Sequence, residues 1–415
     1  MKTPDNPPTP QHRAPLRVAL IGLGGYGQAH LGILNDLARS GQCRLESAVA
    51  IPSTSAADLA GLSPQVRRYP HFDDWLLAER GRFDLCCLPT PIHLHASMAR
   101  AALAAGGSVL VEKPLAASWD EVTGLLEARP APGHFLAVGY HDFCTDDAYG
   151  VKRRLLAGEI GTVRRIHLLG LWPRPDAYYQ RNAWAGRLRL PDGAVLDSPL
   201  NNALAHYFLL ALFFAGETLD AAGVLIEGAG ELYRSRDIES FDTAALRLKT
   251  QGGVEILAAV THRGTVESVP LVRMEGDRGA IEWHAGREIH IETAGHARQT
   301  LPLRDAAHAR MALFSNLLTR LQGNAALLCS ARLAAVHSAC ILDLHAGCPI
   351  HDAPELAPDE PGHSAPPNRP ANPLEADLRR VVREGRLPSE LGLPWSRPAT
   401  HFPTTHSQLL AHRRA

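Results

Sequence analysis

Lysine is scarce in this chain. Of 42 basic residues four are lysines (Lys2, Lys113, Lys152 and Lys249), so arginine serves almost everywhere a surface cation is needed. Net charge is nearly absent, at −1 with a pI near 7.1. That balance excludes a strong field toward nucleic acid or anionic membrane. The arginine doublets 67–68, 153–154 and 379–380 are short and dispersed. Seven cysteines form no Cys-x-x-Cys pair, and Cys86-Cys87 lies inside an apolar run. Reduced thiols and a cytoplasmic location are the expectation. No apolar run is long enough to span a bilayer, and residues 1–15 are polar and proline-rich, without signal-peptide character. His93-x-His95 has no third ligand at a recognisable spacing, so no metal is expected.

What is present suits a globular protein of two or three domains, with 415 residues, 45% of them hydrophobic and 20% charged. Residues 1–15 read as a disordered lead. From 16 to 145, short apolar runs alternate with helical segments, which predicts a parallel sheet with helical crossovers. From 146 to 350 the pattern changes. A helix over Ala148–Ala157, a strand over Thr162–Trp172 and an apolar helix over Asn201–Phe214 precede a series of strands without helices between them. That series predicts a mainly antiparallel sheet. Residues 351–415 read as a proline-rich wrapping tail with a short helix, anchored on the body by Trp395. The strands of the second sheet alternate too poorly to show which face is buried.

Gly22-Leu23-Gly24-Gly25-Tyr26-Gly27 fits Gly-x-Gly-x-x-Gly, and it follows a strand and opens a helix. In that context it reads as a dinucleotide-binding turn. The second strand ends Val49-Ala50-Ile51-Pro52-Ser53-Thr54, without the carboxylate that usually binds the ribose. Ser53 and Thr54 could donate to a phosphate there, and Arg67 and Arg68 are the next cations in sequence. NAD and NADP are both left open. Lys113 follows the apolar run Val109-Leu110-Val111, at the sheet edge where open α/β sheets bind ligands. A buried lysine can exchange a proton where an arginine cannot.

Four stretches at matching spacing carry a resemblance. They are Gly22–Gly27, Pro89-Thr90-Pro91-Ile92-His93-Leu94-His95, Glu112-Lys113-Pro114 and Leu156-Ala157-Gly158-Glu159-Ile160-Gly161; Gly193–His206 is a looser fifth. With these the chain resembles the glucose–fructose oxidoreductase / inositol dehydrogenase / MocA family over about residues 16–350. The resemblance implies an N-terminal Rossmann domain and a C-terminal α/β domain with an open, mainly antiparallel sheet. It implies hydride transfer between NAD or NADP and a sugar, polyol or related carbohydrate. Lys113 would lie by the nicotinamide and substrate. Cofactor contacts would come from Gly22, Gly24, Gly25, Tyr26, Gly27, Ser53, Thr54, Pro89, Thr90, Pro91, His95, Glu112 and Lys113. The broad sheet face that relatives use for self-association implies a homo-oligomer.

The family's Asp-x-Gly-x-His stretch is altered here, in Asp197-Ser198-Pro199-Leu200-Asn201-Asn202-Ala203-Leu204-Ala205-His206. In one register Asp197 keeps the aspartate and Asn201 replaces histidine; in the other Asn202 stands for the aspartate before His206. Lys113 and His206 are then the main proton-transfer candidates, with Asp197 as a partner and Asn202 sharing a helix face with His206. The loop Tyr178–Trp184 is rich in aromatic and hydrogen-bonding groups, which suits a sugar. Tyr140, His141, Tyr179, Arg181, Asn182, Trp184, Asn201 and Asn202 are the expected substrate contacts. The altered motif also leaves open an NAD-dependent glycoside hydrolase or lyase, or a non-catalytic nucleotide-binding protein.

Overall fold

The computed structural model describes residues 14–265, 267–356 and 373–413. Most of the expected disordered lead, and the centre of the proline-rich segment, lie outside these residues. The chain begins with β1 (Leu16–Ile21), α1 (Gly27–Arg39), β2 (Cys43–Val49), α2 (Ala56–Leu59), β3 (Arg67–Tyr69) and α3 (Phe72–Glu79). It continues with β4 (Leu85–Leu88), α4 (His95–Ala104), β5 (Ser108–Val111), α5 (Trp119–Glu127) and β6 (Leu136–Val138). The six strands form one parallel sheet in the order β3-β2-β1-β4-β5-β6. Helices cover both faces, so β4 and β5 are buried at every position and read as unbroken apolar runs. The order reverses between β1 and β4, and a ligand crevice opens at such a point.

α6 (Asp146–Leu156) leads into the second sheet through β7 (Val163–Leu171) and α7 (Asp176–Gln180). A small hairpin, β8 (Arg189–Leu190) and β9 (Gly193–Ala194), precedes α8 (Ala205–Phe214). The expected helix over 201–214 therefore starts late, because Asn201 and Asn202 lie in a turn. Seven strands follow: β10 (Leu225–Arg234), β11 (Thr243–Thr250), β12 (Glu255–Thr261), β13 (Leu271–Gly276), β14 (Gly279–His284), β15 (Glu288–Thr293) and β16 (Gln299–Pro302). Then come α9 (Ala306–Leu321), α10 (Ala331–Gly347), β17 (Ile350–Asp352), α11 (Pro373–Glu384), β18 (Thr400–Phe402) and α12 (Thr405–His412). The sheet runs β16-β15-β14-β13-β7-β12-β11-β10-β17, with β18 also on β10. Its pairings are antiparallel except β7–β12 and β10–β17.

Both faces of this sheet are covered at its centre. Ile166 and Leu168 of β7 point into the cluster that holds α8, where Gly170 leaves room for the Leu204 side chain. Leu169 and Leu171 point the other way, with Tyr233, Ala245 and Leu257, into a cluster closed by Leu374, Leu378, Val381, Leu387, Leu393 and Trp395 of the C-terminal segment. That segment is a built layer, joined to the sheet by hydrogen bonds from Ser389 to Glu231 and by the Arg247–Glu390 ion pair. It lies on much of the face expected to mediate self-association, which leaves the polar strip over β13–β16. α9 is expected with the second domain, yet its Leu313, Phe314 and Leu317 pack in the cluster of Val18, Leu20 and Leu34, against the first sheet.

Trp395 stacks edge-on against Tyr233 and donates from Nε1 to Asp377. Trp395→Ala is expected to cost about 3 kcal/mol in urea denaturation, as for other buried aromatics. A loss under about 1 kcal/mol would show that the segment is not part of the cooperative core.

Candidate active site

Consecutive strand ends of the first sheet build the crevice. β1 delivers the glycine turn, β4 Pro89-Thr90-Pro91, β5 Glu112-Lys113, and β6 the short turn His141–Cys144. The glycine turn fits a dinucleotide. Gly22 and Gly25 have φ of +97° and +56°, and a Cβ on Gly27 would run into the Gly22 carbonyl. Pro89 and Thr90 stand against Gly22 across the crevice. α1 starts with no capping side chain and no acidic residue in its first turn, whereas α5, α9 and α10 are capped by Ser118, Asp305 and Ser330. Its first N–H groups bond back to the turn, Gly27 to the Gly24 carbonyl and Gln28 to the Gly25 carbonyl, so what the helix offers an anion is the positive end of its dipole. The Thr90 hydroxyl and His93 Nδ1 are buried along the crevice without a hydrogen-bond partner among the described residues. Tyr26 is exposed at its mouth, and Ser53 and Thr54 lie in the loop after β2.

Two expected cofactor contacts are instead braces. His95 is fully buried, with Nδ1 2.7 Å from the Pro114 carbonyl and Nε2 2.9 Å from the Thr90 carbonyl. It ties the β4 turn to the β5 turn and has no nitrogen left for a nucleotide. Glu112 is buried behind Lys113, 2.9 Å from His30 Nε2 of α1, and it accepts from the Lys113 N–H. Burial pushes the Glu112 carboxyl up, but the His30 hydrogen bond and the Lys113 charge hold it below its ordinary value. A Cβ on Gly139 would lie 2.6 Å from that carboxylate, so glycine is required where β6 ends.

Lys113, followed by a cis peptide to Pro114, donates from Nζ to the Asn202 carbonyl at 2.7 Å and to its Oδ1 at 3.0 Å. Burial lowers the Lys113 pKa, with Arg181 and Arg174 acting in the same direction. Asn202 Nδ2 donates to Asp197 Oδ1 at 2.8 Å, and the Gly186 N–H donates to Asp197 Oδ2 at 2.7 Å. Burial raises the Asp197 carboxyl. Asp197 thus orients Asn202 and does not pair with His206. Asn201 is buried and donates to the Val195 and Leu196 carbonyls, the latter from a residue with φ of +51°. It holds the turn, and the expectation that it contacts substrate is corrected.

His206 has a partner that sequence reasoning missed. Its Nδ1 donates to Asp142 Oδ2 at 2.8 Å, and Nε2 carries no hydrogen bond among the described residues. Burial would raise the Asp142 carboxyl, but neighbouring His141 and the His206 hydrogen bond hold it at about 2. His141 stacks on His206 with ring centroids 4.2 Å apart, and burial lowers its pKa to about 4. Tyr140 is fully buried and packs edge-on behind His206, so it supports that ring and cannot reach a substrate. The one legible signal for Asp142 was its place two residues after Tyr140, at a strand end.

The aromatic loop contributes differently from expectation. Tyr178 is the residue that reaches the site: its hydroxyl accepts from Asn202 Nδ2 at 3.4 Å. Tyr179 turns away, with its hydroxyl 2.8 Å from His262 Nδ1 and its ring under Arg236. Asn182 caps a turn by accepting from the Trp184 and Ala185 N–H groups. Trp184 packs on a cluster of Ile92, Ala117 and Val195. Arg181 lies over Tyr178, 3.5 Å from the ring centroid, and 5.0 Å from Trp184.

His93 and His95 do not converge, since His93 pairs with Asp192 at 3.3 Å. Among the described residues two other groups bring ligand atoms within 4.8 Å of one another, His141–Asp142–His206 in the crevice and Glu282–His284–His290 on the second sheet. Either set could hold a cation. In the crevice the same three side chains also form a carboxylate–imidazole pair suited to moving a proton.

A Rossmann sheet, a glycine turn at its switch point and a titratable cluster where two neighbouring strand ends meet α8 define an NAD(P)-binding oxidoreductase. Residues 16–140 match the family described as an oxidoreductase family with an NAD-binding Rossmann fold. That match, to the Gfo/Idh/MocA family, covers the domain of the first sheet. It is 27% identical over 319 residues to the dTDP-3,4-didehydro-2,6-dideoxy-alpha-D-glucose 3-reductase of Streptomyces violaceoruber, covering 74% of this chain and 88% of that one. The inositol 2-dehydrogenase of Pseudomonas fluorescens is 28% identical over 40% of this chain and 48% of its own length. The WlbA dehydrogenase of Chromobacterium violaceum, solved with NADH and UDP-GlcNAcA, has the same fold, with a TM-score of 0.65 and 21% identity over 81% of this chain and 93% of that one. So has KijD10, a 3-ketoreductase from Actinomadura kijaniata solved with NADP and TDP-benzene, at a TM-score of 0.63 and 18% identity over 81% and 98%. No described helix is long and apolar enough to cross a membrane.

Two buried histidines of α10 make stability pH-dependent. His337 donates from Nε2 to the Leu200 carbonyl, and His345 stacks on Phe241. Burial lowers each to about 4. Both stay neutral in the folded chain while the unfolded chain takes up protons below about pH 6.5. Their contribution is complete above that pH and is lost as pH falls through 4, at about 1.4 kcal/mol per pH unit each. Urea titrations between about pH 7 and pH 5 should show the decline, with a shallower slope in His345→Phe. A flat profile would contradict the burial of both rings.

Proposed function

We propose that this enzyme interconverts a hydroxyl and a carbonyl group on a sugar, polyol or related carbohydrate, with NAD or NADP as redox partner. The observation that carries this reading is that Lys113 and Asp142, at ends of β5 and β6, are hydrogen-bonded to Asn202 and His206 from the turn before α8 and its first residues. A bound nicotinamide supplies the hydride acceptor or donor. His206 Nε2 takes the hydroxyl proton in the oxidative direction, while the Asp142 carboxylate stabilises the resulting imidazolium through Nδ1. Lys113 directs an N–H toward the reacting oxygen and stabilises charge that builds there. Asn202, oriented by Asp197, holds the Lys113 ammonium in place.

The relatives' printed activities support a carbohydrate substrate. Arg174 and Arg181 refine it. They stack on Tyr178, with guanidinium-to-centroid distances of 5.3 and 3.5 Å, and neither has a carboxylate partner among the described residues. A sugar bearing a carboxylate or phosphate fits beside these two cations. The reading includes cytoplasmic reduced thiols, consistent with seven buried free cysteines, and no nucleic acid or membrane partner. Its homo-oligomer would use the charged strip over β13–β16, where Arg273, Glu282, His284 and His290 face outward.

Lys113→Met should lower kcat by about a thousandfold while nucleotide binding stays within a few-fold. Steady-state kinetics with fluorescence titration of NADH and NADPH measures both, and full turnover in the variant would remove Lys113 from the chemistry. Arg181→Ala should raise KM for an acidic or phosphorylated sugar by about tenfold and leave KM for a neutral polyol nearly unchanged. Equal effects on both substrates would remove the anion from the reading.

A further inference from the structure

The nucleotide pocket has a carboxylate in an unexpected place. β2 ends without an acidic residue, and the chain reaches none until Asp58, in the first turn of α2. α1 draws that stretch over the glycine turn. Gln28 Nε2 donates to the Leu23 carbonyl at 2.6 Å and to the Asp58 carbonyl at 2.9 Å, and Asn35 Nδ2 donates to the Gly61 carbonyl at 2.9 Å. The Asp58 carboxylate comes to rest beside Gly24, 3.9 Å from where a Cβ on that glycine would stand. Gly24 is the second glycine of the turn, where the backbone approaches the dinucleotide. Ser55 Oγ donates to Asp58 Oδ2 at 2.7 Å and accepts from the Asp58 N–H at 3.1 Å, which orients the carboxylate. Oδ1 carries no protein hydrogen bond among the described residues.

Of the two cations that follow β2 in sequence, Arg67 is committed elsewhere. Arg67 binds Glu79 through Nε and Nη2, at 2.7 and 2.9 Å, and Tyr69 donates to the same carboxylate. We propose that Asp58 supplies the ribose-binding carboxylate that β2 lacks, so that the protein takes NAD(H) in preference to NADP(H). A free ribose offers two hydroxyls to such a carboxylate; a 2′-phosphate places like charge against it. The proposal rests on the dinucleotide-binding reading of Gly22–Gly27 and decides between the two cofactors that reading allows.

Fluorescence titration of the full chain with NADH and with NADPH tests it, in the wild type, Asp58→Asn and Asp58→Ser. Both variants are small changes at a partly exposed position. Wild type should bind NADH at least about tenfold more tightly than NADPH, and both variants should bring the two affinities to within about threefold. Equal or tighter NADPH binding in the wild type would overturn the proposal, as would an unchanged ratio in both variants. NADPH preference that disappears in Arg68→Ala would assign the ribose pocket to that guanidinium instead. Failure of either nucleotide to bind would remove the dinucleotide reading, and this proposal with it.

Discussion

The hydrogen bonds from the Lys113 ammonium to Asn202 join the two halves of the site. Lys113 stands at the end of a strand in the first sheet, and Asn202 lies in the turn before α8, 89 positions later in sequence. One donor group satisfies a backbone carbonyl and a side-chain oxygen, and Asp197 holds that side chain from behind. An ammonium out of bulk water needs such partners. Behind Lys113, Glu112 and His30 tie the same strand end to α1, and His95 ties it to the β4 turn. The glycine turn, the lysine and α8 are thereby set in one frame.

Within that frame the chemistry divides between two sources. The first sheet contributes Lys113 and Asp142, and the second unit contributes Asn202 and His206. The altered motif before α8 becomes intelligible on this basis. An amide at 202 keeps the hydrogen bonds to Lys113 and Asp197, while the partner of the histidine comes from the end of β6. The site therefore holds a carboxylate–imidazole pair although an amide stands at 202.

The C-terminal segment has a comparable effect on the second sheet. Its layer of leucine, valine and tryptophan side chains covers the face opposite α8, so the central strands are buried on both sides. A strand buried on both sides needs no alternation of apolar and polar residues. β12 is buried at six consecutive positions, which is why its pattern did not disclose an inner face. The residues that do the covering lie well over a hundred positions away, where composition shows a proline-rich tail.

Local pattern was enough for the parallel sheet, the glycine turn, the position of Lys113 at a strand end and the mainly antiparallel second sheet. Each is a periodicity or a motif that a few neighbouring residues specify. Pairings across long separations were not legible: Asp142 with His206, Asp58 beside Gly24, Tyr178 rather than Tyr179 at Asn202, and α9 on the first sheet. They follow from which strand ends meet and which side of a turn a side chain takes. Tyr178 and Tyr179 are adjacent and chemically identical, so sequence cannot rank them; their rings touch, yet one hydroxyl meets Asn202 and the other His262. The sequence by itself thus determined the fold and the class of cofactor, whereas tertiary packing decided which acid serves which base, because hydrogen bonds depend on distance in space rather than along the chain.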